Sequence, residues 1–231
     1  MSEQLDKAFD ALKTYDWGME PNIVKPIEDA IVATHTDAAA RKELETRLIA
    51  ALKAEAPRAA KDVICRALKT IGTAAAVPAL EPLLGDEKLS HMARYALERI
   101  PGPEAAKALT DALSKGTPKV KSGVIGSLGA RGEASSLVPL TGLLGDSDAG
   151  VAAAAATALG DLGSIEAAKA LVMSKPVPAT KAAVGAAALL CAQRLVKAGN
   201  KPAAKITYEK LLASTPSKVV KDAATLGLKS L

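Results

Sequence analysis

Leu97, Leu128, Leu159 and Leu190 stand 31 residues apart, and Leu68 precedes the first of them by 29. Gly72, Gly102, Gly132 and Gly163 run in step, at spacings of 30, 30 and 31. A fixed period near 30 residues belongs to a supersecondary unit that cannot bury its apolar face alone and stacks on copies of itself. The phase therefore predicts a solenoid.

Composition selects the kind of solenoid. Hydrophobic residues make up 49% of the 231-residue chain, enough for a large core, but aromatic residues only 2%. Strands of sandwiches and barrels lean on aromatic and β-branched side chains. Here alanine and leucine dominate, strong helix formers whose small or flexible side chains let helices pack closely. The expected fold is all-α: a right-handed α-solenoid of stacked antiparallel helix pairs. No apolar run reaches the 18 or so residues of a membrane span.

Along the chain, Leu5, Phe9 and Leu12 predict a first helix over 2–15, and Ile23, Val24, Ile27 and Ile31 a second. Together, residues 1–36 read as a terminal helix pair covering the open end of the stack. Asp37 is placed to cap a helix carrying Leu44, Leu48 and Leu52. The next helix carries Val63, Ala67, Leu68 and Ile71 and is expected to end on a left-handed Gly72. First helices then begin at Val77, Ala106, Leu137 and Ala167, and the Thr117-Pro118 pair fits an N-cap followed by proline in the first turn.

The paired helices, the Val77-Pro78-Ala79-Leu80 start, the Leu84-Gly85-Asp86 turn and the Ala156 to Gly163 ending resemble HEAT repeats of the short bacterial type found in phycobilisome lyases. The resemblance covers about residues 40–195 and implies an armadillo-like superhelix over a domain of 37–190. It departs from the pattern in one respect: the basic residue after the turn is Lys121 in one unit but His91 and Ala152 in its neighbours. Beyond Leu190 the phase fails, with Arg194 where the next glycine is due. Ala192, Leu195, Gly199, Ala204, Tyr208, Leu212 and Pro216 resemble a single tetratricopeptide unit instead, so 191–231 reads as that unit plus a final helix, with the native chain expected to continue.

No catalytic constellation emerges. His35 and His91, 56 residues apart, lie in no His-Glu or HExxH arrangement, so no metal is expected, and the HEAT-repeat hydroxylases with their repeated His-Glu pairs are not matched. Neither is there a GxSxG elbow. Cys65 and Cys191 fall on second helices and read as buried thiols rather than a disulfide. No cofactor is expected. Gly123, Gly126 and Gly129 lie inside one predicted helix at a joint cost of about 2 kcal/mol relative to alanine. Close approach of a neighbouring helix is the expected compensation, exposure of backbone to a ligand the alternative.

In such solenoids the second helices line a concave binding face. Counted from the phased leucines, Lys61 and Lys121 stand at minus seven and Lys88, Lys119 and Lys181 at minus nine, with His91 and Arg94 three apart on one helix. These seven form a candidate partner-binding stripe. The expected function is a non-enzymatic, monomeric protein–protein interaction scaffold. A nucleic-acid or polyanion binder is the alternative, because residues 171–231 hold 10 basic and 2 acidic side chains whereas 1–40 hold 3 and 8. A bilin-lyase-like or other cofactor-handling role is the third reading. The first ten residues lack the basic-then-apolar order of a signal peptide, so the cytoplasm is the default compartment, with export open if a leader has been removed.

Overall fold

In the computed structural model, which describes residues 2–215 and 217–231, every regular element among the described residues is a helix. The chain divides after Gly116 into two compact units.

The first unit holds α1 (Glu3–Ala11), α2 (Lys25–Ala33), α3 (Ala38–Lys53), α4 (Arg58–Ile71), α5 (Val77–Leu80), α6 (Ser90–Leu97) and α7 (Pro103–Ala112). Helices α2, α4 and α6 pack on one another as one layer, and α3, α5 and α7 as a second, with neighbouring members also in contact across the layers. The inner helices thus bury one face against their partner and another against the next pair. Asp37 caps α3 as expected, accepting from the Ala39 and Ala40 amides at 3.1 and 3.0 Å. Leu44, Leu48 and Leu52 are buried. Beside Leu44, the buried carboxylate of Glu45 accepts from the Thr73 amide at 2.6 Å and its hydroxyl at 2.9 Å. That tie fixes α3 to the turn that follows α4.

Three local expectations are corrected in this unit. The first helix ends at Ala11, and Ile23 lies in a short 3₁₀ turn ahead of α2, more than one third exposed. The helix begun at Val77 changes to a 3₁₀ helix over Glu81–Gly85. Pro82 has no N–H to donate and its ring crowds the carbonyl four residues back, so the α ladder cannot continue through it. Finally, Gly72 is not left-handed: its backbone is extended, with φ −64° and ψ 144°. Glycine is needed there for space, because a Cβ would lie 2.4 Å from the Leu68 carbonyl oxygen and 3.0 Å from Ile100 Cδ1.

The second unit holds α8 (Pro118–Arg131), α9 (Leu137–Gly142), α10 (Ala149–Leu162), α11 (Ile165–Met173), α12 (Lys181–Lys197), α13 (Lys201–Ser214) and α14 (Lys218–Lys229). Here α8, α10, α12 and α14 form one layer and α9, α11 and α13 the other. The Thr117 hydroxyl accepts from the Val120 amide and Pro118 opens α8. Gly132 and Gly163 close α8 and α10 in the left-handed region at φ 68° and 62°, where alanine would be strained.

The phased leucines Leu68, Leu97, Leu128 and Leu159 are fully buried. Leu190 is not: it is half-buried, and Cys191 beside it is fully buried. The phase slips because α12 has no closing glycine. Arg194 stands at that position, so the helix runs on to Lys197, and its guanidinium reaches back to the carboxylate of Asp161 at 2.8 Å. The sequence boundary at 190 therefore falls inside one continuous helix. Within 191–231, Ala192, Leu195, Ala204 and Tyr208 are buried, Leu211 takes the core position next to the half-buried Leu212, and Pro216 lies outside the described residues.

Of the three glycines inside α8, Gly129 supports the close-approach expectation. A Cβ there would stand 3.0 Å from both Cα and Cβ of Ala158 on α10. Gly160 repeats the device one layer on, with a Cβ 3.0 Å from the Ala187 carbonyl oxygen on α12. Gly126 does not follow suit: it is exposed, with nothing within 4 Å of its Cβ position. Its side of α8 faces away from the neighbouring helices.

Candidate partner-binding groove

The second helices of the first unit build an open groove of about 570 Å³. Helix α2 supplies Ile31 and Val32, α4 supplies Val63, Arg66 and Lys69, and α6 supplies Tyr95. The register explains why these side chains meet. Arg66 and Tyr95 both stand two residues before a phased leucine, and that position points outward when the leucine points into the stack. The same position is exposed at Gly126 and Thr157. At Ala188 it is buried, as the slipped phase of α12 requires.

The groove has an apolar side and a cationic end. Val32 is 75% exposed, and Ile31 and Val63 are half-buried. At the other end the Lys69 ammonium lies 3.7 Å from the centre of the Tyr95 ring and donates to its hydroxyl. That hydrogen bond, then the Lys69 charge itself, with further help from Arg66 and Arg99, holds the phenol below its ordinary range. Arg66 is matched by Asp62 at 2.8 Å and Lys25 by Asp29 at 2.6 Å. Among the described residues, neither Lys69 nor Arg99 is paired with a carboxylate.

None of the seven residues of the expected stripe lines this groove. Lys61 on α4 and Lys121 on α8 are half-buried, and their register is fully buried in neighbouring repeats at Ser90 and Ala152. A surface ladder of charge cannot form there. Lys88 is exposed in the turn before α6, where its amide donates to Asp86 at 2.7 Å, and His91 is exposed in the first turn of that helix. Arg94 is half-buried, and loss of water around it lowers its pKa from the usual guanidinium value. Lys119 and Lys181 are exposed near the starts of α8 and α12, the latter beside a small pocket of about 110 Å³ with Val184, Leu211 and Thr215. Counting at minus seven and minus nine passes over Arg66 and Tyr95; a search by register at minus two finds both.

Both cysteines are free and buried. Burial pushes the Cys65 thiol up to about 12 and that of Cys191 to about 11. Neither supplies a thiolate near neutral pH. Among the described residues, no group of three His, Cys, Asp or Glu could hold a metal ion, and no helix is long and apolar enough to cross a membrane.

Among curated protein sequences, none matches the chain. Among solved structures, it is similar to the complex of CpcE and CpcF of phycocyanin lyase from Nostoc, at 22% identity over 94% of this chain and 98% of that one, with a TM-score of 0.45. An engineered protein shows 23% identity over 88% and 95%, TM-score 0.41. Human deoxyhypusine hydroxylase shows 17% over 90% and 95%, TM-score 0.37. Scores this low impose nothing on the activity of the present chain. Residues 107–188 match the HEAT repeats family. With helices layered in pairs and repeat leucines buried between them, that segment is similar to HEAT repeats.

Proposed function

We propose that the chain is a non-catalytic interaction module that binds a protein partner along the second helices of its repeats. The observation that carries this reading is the groove over α2, α4 and α6, which is open, partly apolar and lined by side chains from three successive second helices. Stacked helix pairs present extended surfaces of this kind, and partners are held there by side chains spread over several repeats. Residues 37–190 supply the HEAT-like array in this proposal, 1–36 its covering pair, and 191–231 a tetratricopeptide-like extension.

Cross-linking followed by mass spectrometry in the native cell tests the reading. A recurrent protein partner linked to the second-helix surface is the expected result. Substrate turnover by the purified chain that disappears on substitution of His91 or Arg94, with no partner recovered, would overturn it.

A second reading has its own observation. Lys197, Lys201, Lys205, Lys210, Lys218 and Lys221 on α12, α13 and α14 are all exposed; Glu209 approaches Lys205 at 3.9 Å and Lys201 donates to the Leu231 carbonyl oxygen at 2.7 Å. Such a surface attracts polyanions, nucleic acid included.

A further inference from the structure

Resting on the interaction reading above, we propose that the groove of the first unit accepts an acidic, apolar-striped segment of a partner protein. Its apolar side chains would lie on Ile31, Val32 and Val63, and a carboxylate would seat between Lys69 and Arg99 beside Tyr95.

The charges in the groove choose this occupant. Cations at its other positions already have carboxylates of the same chain: Asp62 beside Arg66 and Asp29 beside Lys25. Glu28 adds a further negative charge near those two. The Tyr95 end differs. Lys69 there rests on a neutral phenol, and Arg99 follows Tyr95 by four residues, about one turn on. A phenol is a poor substitute for a carboxylate, since it offers Lys69 a dipole where an ion could sit. An incoming carboxylate displaces little, because Tyr95 is 42% exposed and the ammonium is already held in place.

The apolar side sets the second requirement. Val32 is exposed on a helix whose opposite face, with Ile27, is fully buried, so α2 is apolar on more of its circumference than its own packing uses. A polyphosphate backbone would satisfy the cations but leave Val32, Ile31 and Val63 facing water. A segment carrying leucine-like side chains together with glutamate or aspartate satisfies both ends of the groove. Recognition of an amphipathic segment in a helical groove follows the same logic elsewhere.

Fluorescence anisotropy with a labelled peptide of repeating Leu-Leu-Glu-Glu sequence provides the test. Three probes of equal length accompany it: one with lysine for glutamate, one with serine for leucine, and a single-stranded oligonucleotide. The acidic amphipathic peptide is expected to bind, and Lys69→Glu with Arg99→Glu is expected to weaken it about tenfold or more, since reversing charges at a rim removes attraction and adds repulsion. Tyr95→Ala should also weaken it. Lys119→Glu with Lys181→Glu should leave it unchanged. All of these side chains except Lys69 are exposed, and unchanged circular dichroism would show that each variant folds.

Equal binding of the lysine or serine peptide overturns the proposal. So does preference for the oligonucleotide, or acidic-peptide binding that is indifferent to Lys69, Arg99 and Tyr95. Cross-linking in cells separates this failure from that of the scaffold reading. Partners that persist on the Lys69→Glu, Arg99→Glu chain leave the scaffold standing and remove the groove. The absence of any partner on the unaltered chain removes the scaffold itself.

Discussion

Gly126 and Gly129 sit three residues apart on one helix, yet they ask for opposite treatment. Gly126 has open space around its Cβ position and is exposed, so Gly126→Ala is expected to stabilise the protein by about 0.5–1 kcal/mol by removing freedom from the unfolded chain. At Gly129, Ala158 stands 3.0 Å away, and Gly129→Val should cost about 1–3 kcal/mol through overpacking. Thermal melts of the two variants moving in opposite directions are the expected outcome; a shared direction would contradict the packing of α8 on α10. Cys65 yields a second residue-scale prediction. Its thiol is held from the ordinary value of 9.0 up to about 12, chiefly by burial. Between those limits the unfolded chain gives up the proton while the folded chain keeps it. Stability from this group is therefore complete below about pH 9 and is lost as pH rises towards about 12. Urea midpoints of the unaltered chain should fall further than those of Cys65→Ala between about pH 8 and about pH 10.5. Parallel falls would show that the thiol titrates normally.

At the scale of the element, burial separates two side chains seven residues apart on α8. Leu128 is fully buried where this helix meets α10, and Leu128→Ala should cost about 2–5 kcal/mol by opening a cavity. Lys121 is only half-buried, so Lys121→Ala should stay within about 0.5 kcal/mol. Comparable melting temperatures for the two would overturn the assignment of inner and outer faces. The helices themselves were legible wherever local chemistry decided them. Asp37 and Thr117 cap as their side chains dictate, and Gly132 and Gly163 end their helices in the conformation that only glycine adopts cheaply. Gly72 was misread because its role is to leave space rather than to adopt a left-handed backbone: a Cβ would press on the Leu68 carbonyl oxygen and on Ile100, 28 positions further on, and the local pattern shows neither contact. Leu190 was misread for a related reason. The missing glycine at Arg194 made the run of α12 to Lys197 legible, but the 31-residue spacing, carried one unit too far, could not show that Cys191 would take the core position in place of Leu190.

Across the whole molecule, charge is segregated along the chain, acidic in the first 40 residues and basic in the last 61. Screening distinguishes the two kinds of binding this permits. Heparin should retain the chain at low salt through the exposed lysines of α12, α13 and α14, with retention falling steeply as salt rises. Binding of the acidic peptide should fall more gently, because its apolar contacts in the groove are not screened. Equal salt slopes would mean that the groove contributes no apolar attraction. The amino-acid sequence by itself determined the stacking of helix pairs, since a 30-residue period in buried leucine is an intrinsic property of the chain and leaves no other way to cover those faces. The tertiary structure alone decided where the groove lies, because it is made by side chains on α2, α4 and α6 whose separation in sequence carries no record of their approach. Lys69 and Tyr95, 26 residues apart, meet only because two second helices lie side by side.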